Sequence, residues 1–118
     1  MRKNLTRKER MKKKDISNVF EVSESIKISC IRLLYCRNRI TLNRIAVVLR
    51  KRYGNSVERN RARRVIKEAY REIKNSLPCG YDFIFLLTDK ITDYKTAKMI
   101  MVSLFKQAGF IDAPEKFV

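Results

Sequence analysis

Residues 51–67 read Lys-Arg-Tyr-Gly-Asn-Ser-Val-Glu-Arg-Asn-Arg-Ala-Arg-Arg-Val-Ile-Lys. A glycine turn runs directly into a helix studded with arginine. A guanidinium fork grips phosphate through paired hydrogen bonds and stacks on bases, which an ammonium group cannot do. The helix start, at residues 56–60, adds free N–H groups and the positive end of the dipole, and both favour phosphate. The chemistry on offer is recognition of an anionic polymer, with RNA the first choice.

Helical projection divides this segment into two faces. At 100° per residue, Ala62, Ile66, Ala69 and Ile73 fall within about a 60° arc and suit a sheet. Asn60, Arg63, Arg64, Lys67, Arg71 and Lys74 fall within about 100° of one another on a different side. Five of these six are cationic, so the stripe is a ridge of like charge. Neighbours at i, i+3 and i+4 repel by a few tenths of a kcal/mol per pair. An ordinary solvated face mixes signs; this one becomes favourable only beside a polyanion. A second constellation is apolar: Ile16, Phe20 and Tyr35. Aromatic groups beside cations suit single-stranded nucleic acid, whose bases stack on them, although the same three residues fit a plain core.

The elements that must hold these groups follow from pattern. Residues 1–14 lack apolar periodicity and read as a mobile basic arm. Asp15 offers an N-cap to a short helix over 15–22, with Ile16, Val19 and Phe20 at i, i+3, i+4. Residues 26–37 and 44–51 read as two strands, and the short link at 38–43 predicts an antiparallel hairpin between them. Asn55 or Ser56 caps the arginine helix, which Pro78 and Gly80 end near residue 77. Residues 81–88 are almost continuously apolar, as in a central buried strand. Asp93 starts a last helix that Gly109 ends. The expectation is an α+β fold, a two-layer α/β sandwich in the order α-β-β-α-β-α, with a single RNA-binding domain over 15–118.

Composition agrees and excludes. With 118 residues, 45% hydrophobic, the chain is one folded domain rather than a basic tail. Its net charge is +16, and residues 1–14 and 50–74 carry +7 each. There is no histidine, and the twelve acids show no metal-binding cluster, which argues against an autonomous nuclease. Cys30, Cys36 and Cys79 lack zinc-site spacing, and the first two read as buried reduced thiols. No secretory signal and no membrane-length apolar run are visible, so the expected compartment is the cytoplasm. The helix's narrow apolar face also argues against a membrane-surface role.

The segment K-R-Y-G-N-S-V-E-R-N-R-A-R-R resembles the signature of the bacterial ribonuclease P protein subunit family. The matching residues are Lys51, Gly54, Asn55, Val57, Arg59, Asn60, Arg61, Arg63 and Arg64. The likeness spans residues 5–110 and includes Val19-Phe20, Leu34-Tyr35 and Tyr81-Asp82-Phe83. It implies a mixed sheet with a left-handed βαβ crossover, against the usual hand. It also implies a protein without catalytic residues, paired 1:1 with a catalytic RNA that holds Mg2+ and removes the 5′ leader of precursor tRNA. Carried over, Lys51, Arg52, Arg59, Arg61 and Arg64 serve docking on the RNA subunit. Ile16, Phe20, Tyr35, Asn60, Arg63 and Lys67 line a leader-binding cleft.

Three positions depart from the family pattern. Ile16 stands where phenylalanine is common, so apolar contact replaces stacking there. Arg50-Lys51-Arg52 adds a cation at the strand end. Thr88-Asp89-Lys90 removes positive charge after the third strand. A non-catalytic RNA-binding module such as a ribosomal protein fits charge and size equally well; only the motif separates the two.

Overall fold

The computed structural model describes residues 7–91 and 93–111, apart from the Arg7 side chain. A 3-10 turn, Arg7–Glu9, precedes helix α1, Lys13–Val22. Strands β1, Glu24–Ile28, β2, Ile31–Arg37, and β3, Arg44–Leu49, follow. Helix α2, Ser56–Ile73, runs on into a 3-10 turn at Lys74–Ser76. Strand β4, Tyr81–Leu87, and helix α3, Tyr94–Ala108, complete the order α-β-β-β-α-β-α.

The fold is α+β with a mixed sheet, as expected, but it has one strand more. The stretch read as a single strand at 26–37 is an antiparallel hairpin that turns at Ser29 and Cys30. Ser29 takes φ 55° there, with no Gly, Pro or Asn to announce the turn.

A second expectation fails with it: β2 and β3 do not pair. The sheet order is β1-β2-β4-β3, so β4 lies between them, antiparallel to β2 and parallel to β3. Strand β4 is the most apolar segment, with Asp82, Phe83, Ile84, Phe85 and Leu87 buried. It gains most from two strand neighbours and two covered faces. The polar link at 38–43 wraps around the chain entering β4. Asn38 N donates to Gly80 O at 2.9 Å, and Tyr81 N donates to Asn43 Oδ1 at 2.8 Å. Asn43 Nδ2 donates to Pro78 O at 2.7 Å. Gly80 is required at this crossing. Its φ is +91°, and a Cβ would meet Ile40 O at 3.1 Å.

Strand alternation sends two residue sets to opposite faces. Ile31, Leu33, Ile45, Leu49, Phe83, Phe85 and Leu87 pack under α2 and α3, where Ala62, Ile66, Tyr70, Met101 and Phe105 meet them. This is the sandwich proper. Leu34, Ala46 and Ile84 face the other way and receive Val19 of α1.

Helix α1 begins two residues earlier than its expected cap. Lys12 is the N-cap, and Asp15 sits at the third helical position, accepting from Lys12 N at 3.2 Å. Residues 7–12, assigned by sequence to the arm, are laid along the free edge of β3. Arg10 bridges Ile45 in parallel, and Met11 N donates to Ile45 O at 3.0 Å. Residues 1–6 of that arm lie outside the described residues.

Candidate nucleic-acid interface

The start of α2 is built by reciprocal capping. Asn55 Oδ1 accepts from Glu58 N at 2.9 Å, and Glu58 Oε1 accepts from Asn55 N at 3.0 Å. Gly54 leaves room for this carboxylate; a Cβ there would collide with it. Glu58 Oε2 also accepts from Lys90 Nζ at 2.9 Å. These partners, Lys90 first, hold the Glu58 carboxyl below its ordinary pKa. The helix start is thus less open to anions than the arginine pattern suggested. Glu58 already brings a negative charge to it.

Most cations beyond the cap have no acidic partner among the described residues, although Arg59 Nη1 donates to Arg50 O at 3.5 Å. Ala62, Ile66, Ala69, Tyr70 and Ile73 are buried, which fixes the predicted sheet stripe. Lys51, Arg52, Asn60, Arg61 and Arg64 are exposed, and Arg59, Arg63 and Lys67 are half-buried. Among the described residues, no ion pair involves Lys51, Arg52, Arg59, Arg61, Arg63, Arg64, Lys67 or Arg71. The ridge ends at Lys74, whose Nζ is 3.0 Å from Glu9 Oε2. Burial, followed by the charges of Arg10, Arg63 and Arg71, lowers the Lys67 pKa.

The apolar constellation is only partly assembled. Ile16 and Phe20 stand together on α1. Ile16 packs beside Leu34, Ala46 and Ile84, while Phe20 is 44% exposed. Cys36, Val48 and Leu86, half-buried, extend this shelf over the sheet face that α1 leaves uncovered. Tyr35 is not part of it. Alternation turns Tyr35 to the opposite face, where its ring meets Phe110 edge-on at 5.0 Å and its hydroxyl donates to Glu24 Oε1 at 3.3 Å. Burial, then Glu24, raises its pKa. The assignment of Tyr35 to a cleft with Phe20 is therefore corrected. Cys36 is the β2 residue beside Leu34 that faces α1, and burial foremost raises its thiol pKa. Asn60, Arg63 and Lys67 belong to α2, on the far layer from Phe20, and meet the α1 side only around the β3 edge, where Arg10 lies.

Sequence reasoning missed two residues here. Arg44 on β3 links α1 to the sheet. Its Nε and Nη2 donate to Asp82 Oδ1 and Oδ2 at 2.9 and 2.8 Å, and its Nη1 donates to Asp15 Oδ2 at 3.1 Å. Asn38 Nδ2 adds a donor to Asp82 at 2.8 Å. Arg10 falls in the stretch that pattern assigns to the arm. A signal was present in Glu9, the one acid among residues 1–14, which is buried against Lys74. Cys30 and Cys36 are half-buried and Cys79 is exposed. Among the described residues no three His, Cys, Asp or Glu side chains converge as metal ligands. No helix among them is long and apolar enough to cross a membrane.

Fold and site together define a small basic α+β protein. Its mixed four-stranded sheet carries one helix ridged with unpaired cations and, on the other face, a partly open apolar shelf. A family model described as Ribonuclease P matches residues 5–108, and the chain belongs to that family, the protein subunits of ribonuclease P. Its members work with an RNA component in a tRNA-processing ribonucleoprotein endoribonuclease. The ribonuclease P protein component of Clostridium botulinum (strain Loch Maree / Type A3) is 35% identical over 101 residues, covering 83% of this chain and 91% of the relative. That of Petrotoga mobilis is 33% identical over 108 residues, covering 86% and 92%. The solved ribonuclease P protein of Thermotoga maritima superposes with a TM-score of 0.76 at 23% identity, covering 84% of this chain and 96% of that one. The Staphylococcus aureus protein gives 0.79 at 21%, covering 88% and 98%. At these identities the two structures speak for the fold.

Proposed function

We propose that this chain docks on the RNA subunit of ribonuclease P through Lys51, Arg52, Arg59, Arg61 and Arg64, and contacts the 5′ leader of precursor tRNA. The observation that carries this reading is the row of unpaired cations on α2, in a protein that pairs its other buried charges closely. A single RNA running past the β3 edge meets Asn60, Arg63 and Lys67 on one side and the shelf of Ile16 and Phe20 on the other. Guanidinium groups hold phosphates; Phe20 offers a ring for an unstacked base. The protein performs no bond-breaking step. Mg2+, held by the RNA subunit and substrate, supplies the Lewis acid for hydrolysis, and the protein raises the local concentration and fixes the register of the leader. The complex contains one protein and one RNA and acts in the cytoplasm.

Reconstitution with the RNA subunit tests this. Arg59→Ala and Arg61→Ala should weaken assembly, and each substitution that removes a phosphate-binding cation should lower the salt slope by about one. An unchanged affinity and slope in both variants would refute docking through these residues.

A further inference from the structure

The N-terminal arm and α2 meet in a group of four cations that has no acid. Three interactions hold the arm there: Glu9 Oε2 to Lys74 Nζ at 3.0 Å, the Arg10–Ile45 bridge, and Met11 N to Ile45 O at 3.0 Å. They carry residues 9–11 from the C-terminal half of α2 across the edge of β3. Lys67 lies two turns before Lys74 on the same helical stripe, with Arg63 and Arg71 one turn to either side.

Lys67 is half-buried and makes no hydrogen bond or ion pair among the described residues. Nor do the side chains of Arg10, Arg63 and Arg71. Arg10 is the foremost of the three charges acting on Lys67, although it is more than fifty residues away in sequence. Glu9 is engaged by Lys74, and Glu68, next to Lys67 in the chain, pairs with none of the four. On its other flank Arg10 borders a cleft of about 360 Å³ shared with Lys8, Lys12, Ile40 and Leu42, and with Arg44 and Asp15, which pair with each other. Lys8 and Lys12 extend the positive surface from α2 over the arm as far as this cleft.

Four unneutralised cations, one of them a half-buried ammonium, repel one another in the free protein. Such a cluster is relieved by a ligand with closely spaced negative charges and many acceptor oxygens. We infer that Arg10, Arg63, Lys67 and Arg71 form one phosphodiester-binding site, a clamp between the arm and α2 that takes consecutive phosphates of a bound RNA. This rests on the RNA-binding role proposed above. It adds a member from outside the arginine motif, and it makes RNA binding fasten the arm to the β3 edge.

The full chain tests the clamp with Arg10→Ala, Lys67→Ala, the double variant and Arg61→Ala. Arg10 is exposed, and its backbone makes the bridge, so Arg10→Ala should melt like the parent. Affinity is measured for the RNA subunit alone, and for precursor and mature tRNA with the reconstituted holoenzyme, over a range of salt. Arg10→Ala should weaken one of these by about threefold to tenfold and lower its salt slope by about one. Weakening on the RNA subunit assigns the phosphates to that partner; weakening on precursor but not mature tRNA assigns them to the leader. Lys67→Ala in the Arg10→Ala background should add less than it does alone, as members of one site do. If Arg10→Ala leaves every affinity and slope intact while Arg61→Ala does not, the clamp is overturned and the docking reading stands. If neither variant changes anything, both are overturned.

Discussion

Replacing Arg44 with methionine removes three charge-assisted hydrogen bonds at once and leaves the stem's bulk in place. The Asp82 side chain, only 6% exposed, then retains Asn38 as its sole described side-chain donor. Breaking a buried pair costs about 3–5 kcal/mol, because the remaining charge is uncompensated. Arg44 is itself 23% exposed, so water reaches the vacated position and the loss should sit near the lower end, about 3 kcal/mol. That is a large part of the roughly 5–15 kcal/mol available to a small domain. Urea unfolding followed by circular dichroism should show the midpoint falling by roughly 2 M. Arg44→Met with Asp82→Leu removes both charges and should recover most of the loss, since an apolar replacement of a whole buried pair is often neutral. A single variant within about 1 kcal/mol of the parent would refute the reasoning. So would a double variant no more stable than Arg44→Met. Asp15→Asn is the milder form. It frees α1 from Arg44 while leaving the Asp82 fork intact, and should therefore perturb the Ile16 and Phe20 shelf more than global stability.

Phe20→Ala should weaken precursor tRNA binding more than mature tRNA binding, by an amount in the stacking range of about 1–3 kcal/mol per base; equal losses would make Phe20 purely structural. Tyr35→Phe, which keeps the ring against Phe110 and removes only the hydroxyl, should leave the precursor-to-mature ratio unchanged, and a change in that ratio would place Tyr35 in the leader path after all. Glu58→Gln tests the cap through pH. The folded-state pKa of Glu58 is lowered, so its carboxylate stabilises the fold above the ordinary carboxylate range and ceases to do so as pH falls through the lowered value. The melting-temperature gap between parent and Glu58→Gln should accordingly close on acidification; a gap independent of pH would contradict the assignment.

How much of this was visible in the sequence depended on whether the signal was local. The α2 stripe was legible because 3.6-residue periodicity is written into the order of Ala62, Ile66, Ala69 and Ile73. So was the Asn55 cap, and Glu58, three residues on, is its reciprocal partner by capping-box spacing. Sheet order was not legible. Nothing local says that β4 separates β2 from β3; that follows from competition for the most buried position, which β4 wins by its apolar run. The turn at Ser29 was hidden because its residues carry no turn signature. The Tyr35 error came from the same source. One turn within 26–37 and the alternation beyond it decide which face a side chain meets, and proximity to Phe20 cannot be read without the register. Arg10 and Arg44 act across 29 residues of sequence or more, beyond any window of pattern.

The central claim is that this protein positions an RNA that does the cutting. Its most direct test is cleavage of precursor tRNA by the purified, RNA-free protein, by the RNA subunit from the same cell, and by the two together, at low magnesium. Cleavage at the mature 5′ end should be strong only for the combination, and should fall with Arg61→Ala. Cleavage by the protein alone, or a combination no more active than the RNA subunit, would contradict it.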